Sequence, residues 1–133
     1  MSNEIVTAAE LARPVGYAHA VVGAPGGRTV HLGGQTALGP DGSIRGQTLV
    51  EQFDVAAGNV VAALRAAGGE PEHLVQLLVF VTDVAEYKAS LKELGGVWRR
   101  RFGRRYPAMG LFGVTALVDE EARVELVGTA VIP

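Results

Sequence analysis

The sequence contains no cysteine, which excludes disulfide bonds, thiolate nucleophiles and cysteine-ligated zinc and fits a reducing compartment. It also has no long apolar run, because the longest, at residues 77–81, is far too short to span a bilayer. Neither sign of charge dominates: 12 basic and 14 acidic residues give a formal net charge of −2. No overall field therefore draws the chain to nucleic acid or to an acidic membrane surface, and we expect neither as a partner.

The composition that is present is that of a folded protein. The chain has 133 residues, of which 48% are hydrophobic and 20% charged, and this is enough for one domain with a real core. We therefore expect residues 1–133 to form a single domain. The first ten residues include Glu4 and Glu10 and have no basic region followed by an apolar run. We accordingly expect no signal peptide and a cytoplasmic location.

Two capping patterns predict the starts of two helices. Thr48 and Glu51 form a capping box, in which the hydroxyl and the carboxylate satisfy backbone donors, and apolar residues follow at helical spacing as far as Gly68. Asp83 and Glu86 form the second pattern. The apolar stripe of this second helix consists of Tyr87, Leu91, Leu94, Trp98 and Phe102. We expect the Gly95-Gly96 pair to weaken or kink it midway.

The remaining apolar segments read as strands. The predicted strands cover residues 17–22, 28–33, 74–82, 109–117 and 123–132. The order β-β-α-β-α-β-β predicts an α+β fold with a single mixed β-sheet and two helices packed on one face.

The segment at residues 74–82 is apolar on both of its faces. One face is predicted to carry Val75, Leu77, Val79 and Val81, and the other carries Leu78 and Phe80. Such a strand must be covered on both faces, and two helices cover only one. A partner subunit is therefore expected on the other face.

Six short segments, taken in order, resemble the Rid family, which is also called YjgF-like or endoribonuclease L-PSP-like. They are Gly16-Tyr17-Ala18-His19-Ala20, Val30-His31-Leu32-Gly33-Gly34-Gln35, Ala66-Ala67-Gly68, Val79-Phe80-Val81-Thr82-Asp83, Tyr106-Pro107-Ala108 and Val124-Glu125-Leu126. The resemblance runs from about Pro14 to Val131. It implies a chorismate mutase-like fold and a homotrimer whose central sheets face one another. It also implies a small-molecule cleft at each subunit interface, and we expect no cofactor.

The resemblance also assigns chemistry to particular positions. Active members hydrolyse enamines and imines, such as 2-aminoacrylate and its imine, to keto acids and ammonia. An arginine holds the substrate carboxylate in a bidentate fork, and a glutamate activates water. Glu125 matches that glutamate, but Met109 stands in place of the arginine and Gly33 in place of a serine. A thioether cannot replace a guanidinium, so we expect weak or absent 2-imino acid deamination. The implied ligand-binding residues are Tyr17, Gly33, Gly34, Met109 and Leu111, and the implied catalytic residue is Glu125.

Several of these residues also have a structural interpretation. Glu125 is either an edge residue facing solvent or a cleft carboxylate that acts on water. Tyr17 is either an ordinary strand aromatic or a cleft residue that supplies a hydrogen bond and an aromatic wall. His19 and His31 are typical of hydrogen-bonded structural histidines, and metal binding or proton transfer is the alternative. With no clear third ligand, we expect no metal site.

The arginines at positions 99–101, 104 and 105 form the most unusual cluster. A solvated helix end, favourable to the helix dipole, is the simplest interpretation. Alternatively, Arg104 or Arg105 enters the cleft and replaces the missing fork. An RNA-binding patch is less favoured, because the total charge is near neutral and no aromatic residues are interleaved.

Two functions remain open from the sequence. The first is hydrolysis of a small enamine, imine or related metabolite by water attack assisted by Glu125, on a substrate that depends less on a carboxylate. The second is a non-catalytic trimer that binds a small molecule as a sensor or carrier. A ribonuclease-like activity is less favoured than either.

Overall fold

The computed structural model describes residues 1–133. Its helices are α1 (Leu49–Ala66), α2 (Val84–Ala89) and α3 (Leu91–Phe102), and a short 3₁₀ turn covers Pro71–His73. Its strands are β1 (Glu4–Val6), β2 (Ala20–Val22), β3 (Arg28–His31), β4 (Leu74–Val81), β5 (Ala108–Gly113) and β6 (Val124–Ile132). None of the helices combines the length and the apolar character needed to cross a membrane.

Helix α1 begins and ends where its local sequence predicts. The Glu51 amide donates to the Thr48 hydroxyl at 3.1 Å, and the Glu51 carboxylate accepts from the Thr48 amide at 3.1 Å, which completes the capping box. The apolar face of the helix, which includes Phe53, Val60 and Leu64, is buried. Gly68, with φ of +91°, follows the last turn, where a side chain would be strained.

The second predicted helix is divided into α2 and α3. The break lies at Ser90, whose φ and ψ of −112° and 13° leave the helical region, and not at the expected Gly95-Gly96 pair. Both glycines lie inside the continuous helix α3, and Gly95 lines a cavity. Leu91, expected in the apolar stripe, is 57% exposed because it directly follows the break.

The main sheet has four strands in the order β3-β6-β4-β5. Strands β4 and β5 are parallel, whereas β6 runs antiparallel to both β3 and β4. Helices α1 and α3 pack together over one face, and the hydrophobic core lies between them and the sheet. The predicted α+β class, with a mixed sheet covered by helices on one side, is confirmed.

Several details of the strands differ from the prediction. Strand β1 was not predicted, and it pairs with β2 in a separate two-stranded sheet. Residues 17–19 precede β2 as loop, and β3 ends at His31. Strand β5 ends at Gly113, because its pairing with β4 stops at Val81. A register shift between Leu74 and Gln76 also buries Leu74 in place of Val75.

The two faces of the sheet differ in how well they are covered. On the helix face, Leu77, Val79 and Val81 are fully buried. On the opposite face, which we call the open face, Leu78 and Phe80 are only half-buried, and Phe112 is 46% exposed. The predicted apolar character of β4 on both sides is therefore present, and no helix covers the open face.

Candidate functional site

A cavity of about 300 Å³ lies between helix α3 and strand β5. Its walls come from both elements, from α1, α2 and β4, and from the loop that precedes β2. Buried residues form its inner part: Phe53, Val79, Leu94 and Trp98. Exposed residues line its mouth: Val15, Tyr17, Leu91 and Leu111. Its size is at the lower end of small-molecule sites.

Three of the candidate residues from the sequence meet in this cavity. Parallel pairing places Met109 opposite Leu77 and Leu111 opposite Val79, so both side chains share the helix face of β5. The Ala18 amide donates to the Pro107 carbonyl at 2.9 Å and thereby holds Tyr17 beside the start of β5. Tyr17, Met109 and Leu111 all line the cavity.

Glu125 and Gly34 form a second group outside this cavity. Gln35 and Leu126 exchange two backbone hydrogen bonds of 2.8 Å, which fixes the glycine loop against β6 beside Glu125. A Cβ atom built on Gly34 would collide with Oε2 of Glu125, whereas one built on Gly33 would meet nothing within 4 Å. Gly34 therefore allows the half-buried carboxylate to lie against the backbone.

The two groups lie on opposite faces of the sheet. Glu125 pairs with Phe80 of β4 and shares its face, the open one, whereas Met109 pairs with Leu77 and shares the helix face. One chain therefore does not bring the proposed catalytic carboxylate to the cavity at Met109.

No charged side chain lines the cavity. Its polar groups are the hydroxyls of Tyr17, Tyr87 and Tyr106, none of which has a hydrogen-bond partner within the chain, and the indole of Trp98, which donates to the Arg105 carbonyl at 3.2 Å. Burial, with a smaller contribution from Tyr106, raises the pKa of Tyr87. These surroundings disfavour a negative charge.

The aromatic walls were not identified as site residues from the sequence. Tyr87 and Trp98 were assigned to the apolar stripe of a helix, and Phe53 to the buried face of another. Their periodicity gave no indication that the helix and β5 leave a space between them. A tyrosine at two of the lining positions, where a purely structural core would accept phenylalanine, was the available signal.

The arginines do not supply the missing fork in this structure. Arg105 donates to the Asn3 carbonyl at 3.2 Å, and neither it nor Arg104 lines the cavity. Arg101 and Arg100 lie 2.9 Å and 3.6 Å from the Asp54 carboxylate, respectively. The cluster thus includes two ion pairs near the end of α3, which fits the interpretation as a solvated helix end.

The histidines have structural surroundings. Nδ1 of His19 accepts from the Ala8 amide at 3.0 Å, and Nε2 lies 2.8 Å from the Ala12 carbonyl, so the ring pins the loop before β2. His31 is exposed on β3. The chain has no group of three or more His, Cys, Asp or Glu side chains placed to hold a metal ion.

Comparison with known proteins places the chain in a family. The sequence model of the family described as Endoribonuclease L-PSP matches residues 7–132. The 2-iminobutanoate/2-iminopropanoate deaminase of Capra hircus is 29% identical over 105 residues, covering 78% of this chain and 73% of that protein.

Solved structures agree. YyfB from Yersinia pestis, described as a Rid protein of unknown function, has a TM-score of 0.86 and 28% identity and covers 99% of this chain and 100% of its own. RidA from an Antarctic Psychrobacter has a TM-score of 0.69 and 27% identity and covers 96% of this chain and 98% of its own. The chain therefore belongs to the Rid, or YjgF-like, family.

Proposed function

We propose that the protein is a homotrimer in which the cavity of one chain meets Glu125 of a neighbouring chain. The opposite placement of Met109 and Glu125 supports this arrangement, because a cleft that contains both residues needs two copies. The apolar open face supports it too, since Leu78, Phe80 and Phe112 would be covered by assembly. Each cleft then has an apolar wall from one chain and a carboxylate from the next.

The proposed reaction is hydrolysis of an imine. Glu125 takes a proton from water as the water oxygen bonds to the imine carbon, and the nitrogen is protonated to give a carbinolamine. The C–N bond then breaks, and the amino group leaves with the bonding electron pair. It takes up the proton lost by the hydroxyl and departs as ammonia, and the carbon becomes a carbonyl. No oxidant or cofactor is needed. The name of the goat relative describes the same reaction class on imino acids.

The uncharged cavity is the single observation that carries the choice of substrate. A carboxylate that enters beside Met109 would lose water and gain no cation, because no charged side chain lines the space. Substrates without a carboxylate avoid this cost. We therefore propose that the protein acts on imines derived from amines in preference to those derived from amino acids.

The test compares imines generated in situ by oxidases. We expect little acceleration, over spontaneous hydrolysis, of 2-iminobutanoate and 2-iminopropanoate, and measurable acceleration with imines of benzylamine or isobutylamine. Met109→Arg should shift activity toward the imino acids, and Met109→Leu, which stays apolar, should not. Wild-type turnover of the imino acids at the rate of an authentic deaminase would contradict the proposal.

A non-catalytic small-molecule-binding trimer is the second candidate, and the absence of the arginine fork favours it. It predicts saturable binding without ammonia release on any imine. Glu125→Gln would then change affinity by a modest factor and abolish nothing.

A further inference from the structure

The inner part of the cavity at Met109 has the properties of a pocket for a hydrocarbon group. Phe53, Val79, Leu94 and Trp98, all less than 6% exposed, form its depth. Gly95 also lines the cavity on the α3 side, and a Cβ atom built there would meet Nη1 of Arg99 at 3.8 Å. Arg99 itself is exposed and is not part of the lining. A linear two-carbon or three-carbon group would fill only a small part of about 300 Å³, whereas a ring or a branched chain fills it better.

The polar groups in the cavity are donors without partners. The hydroxyls of Tyr87 and Tyr106 make no hydrogen bond within the chain, although both rings pack against the core. Neither hydroxyl is sealed from solvent. An occupant that displaces their water therefore satisfies them best with an acceptor, such as an imine nitrogen or a carbonyl oxygen. These two acceptors are the substrate and product ends of imine hydrolysis.

The aromatic rings do not form a cage for a cation. Trp98 stacks on Tyr106 with centroids 5.0 Å apart and an angle of 18°, and Phe102 packs against it at 4.5 Å. The Trp98 indole thus already packs against two neighbouring rings, and its N–H donates to the Arg105 carbonyl. No carboxylate of this chain lines the cavity, so an ammonium in the inner part would lose hydration without an ion pair. In the proposed trimer, the carboxylate nearest to an ammonium at the mouth is Glu125 of a neighbouring chain.

From these observations, we propose that the cavity selects an uncharged molecule that has a cyclic or branched hydrocarbon group and one hydrogen-bond acceptor, held by Tyr87 and Tyr106. This inference rests on the proposed function for the identity of the site, and it specifies the substrate class as an imine of a cyclic, aromatic or branched amine. The hydrocarbon group occupies the inner part, and the C=N group lies toward the mouth, where Leu111 and Tyr17 are exposed.

Trp98 is the only tryptophan in the chain and lines the cavity, so its fluorescence reports occupancy. The probes are three molecules of matched size: cyclohexanecarboxamide, cyclohexanecarboxylate and cyclohexylmethylammonium, titrated at pH 7 into the full chain. We expect the uncharged amide to bind at least about tenfold more tightly than the carboxylate, which loses hydration and gains no cation. In Glu125→Gln, which removes the neighbouring chain's carboxylate, the amide should also bind at least about tenfold more tightly than the ammonium. Thermal shifts with the same probes give a readout independent of Trp98.

Variants assign the preference to particular side chains. Tyr87→Phe and Tyr106→Phe each remove one hydroxyl. At least one of the two variants should bind the amide about three- to tenfold more weakly than the wild-type protein. Met109→Arg should reverse the order of amide and carboxylate, and Met109→Leu should preserve it. If Met109→Arg does not fold, Leu111→Arg at the exposed mouth provides the same test.

The outcomes separate this inference from the proposed function. The inference is overturned if the wild-type protein binds the carboxylate as tightly as the amide, if Glu125→Gln binds the ammonium as tightly as the amide, or if no probe gives a response in either assay. If neither tyrosine variant loses affinity for the amide, the assignment of the two hydroxyls is wrong. Amide selectivity without turnover of any imine leaves the pocket assignment in place and contradicts the hydrolytic function instead.

Discussion

Gly34 and Glu125 act as a unit, because a side chain at Gly34 would occupy the space of the Glu125 carboxylate. Glu125→Gln should reduce turnover of any accepted imine by about 10²-fold or more, the scale for a positioned proton-transfer group. Gly34→Ala should reduce it by up to about 10²-fold through displacement of the carboxylate. Folding should be little affected, since the displaced atoms end a flexible side chain.

A double mutant shows whether Gly34→Ala acts by displacing the Glu125 carboxylate or has an effect of its own. If Gly34 acts through Glu125, adding Gly34→Ala to Glu125→Gln should cost no further activity. Losses that multiply in the double mutant would show that Gly34 has a separate role. Full activity in Glu125→Gln would place the catalytic group elsewhere.

The raised pKa of Tyr87 predicts that the folded protein loses stability at alkaline pH. Burial, and to a lesser extent Tyr106, raises its pKa above the ordinary value of 10.0. A raised pKa means that the folded state holds the proton more tightly than the unfolded state. This contribution is complete below pH 10.0 and is lost as the pH rises through the folded-state pKa. Urea denaturation between neutral and alkaline pH should show a smaller alkaline decrease in Tyr87→Phe. An identical decrease in both proteins would contradict the assignment.

At the scale of elements, the sequence predicts the helix ends that depend only on residues within one turn of the chain. The ends of α1 follow from Thr48, Glu51 and Gly68, which act within one turn of the chain. The end of β5 depends instead on where β4 stops pairing, and strand β1 depends on partners 14 to 18 residues away, in Ala20–Val22. The break at Ser90 is a backbone conformation with no strong sequence signal. Local patterns therefore predict helix starts better than strand ends.

Helix α1 is attached to two loops through Gln52, which is 2% exposed. Its amide nitrogen donates to the carbonyls of Gly46 at 3.2 Å and Glu121 at 2.9 Å, and its oxygen accepts from the Arg123 amide at 2.8 Å. Gln52→Met keeps the volume but leaves these backbone groups without partners. We expect a decrease of about 2–4 kcal/mol in the free energy of unfolding, measured by urea denaturation at fixed protein concentration.

The matched control introduces the same residue at an exposed position of α3. Lys92→Met should change the free energy of unfolding by no more than about 0.5 kcal/mol. A Gln52→Met variant as stable as the control would mean that water replaces all three hydrogen bonds.

At the scale of the whole molecule, the candidate site was predicted as a set of residues but not as a geometry. The resemblance named Tyr17, Met109 and Leu111, and the structure places these three together. It also named Glu125, which lies on the other face of the sheet, and this could be known only once the register of β6 against β4 was fixed. The aromatic wall around Trp98 depends on how α3 packs over β5. Pairing and packing thus decide the site, and neither is encoded in a local pattern.

The open face provides the last prediction, which concerns assembly. Light scattering at micromolar concentration should return the mass of three chains for the wild-type protein. Leu78→Glu should return a monomer that still folds, because the new carboxylate is tolerated on a half-buried face but is costly in an apolar interface. Val118→Glu is the control: this residue is 98% exposed in the acidic loop between β5 and β6, outside the strands that form the open face, and the variant should remain a trimer. A wild-type monomer would remove the proposed intersubunit cleft, since Met109 and Glu125 cannot meet within one chain. A trimeric Leu78→Glu variant with unchanged stability would instead show that the chains associate through another surface.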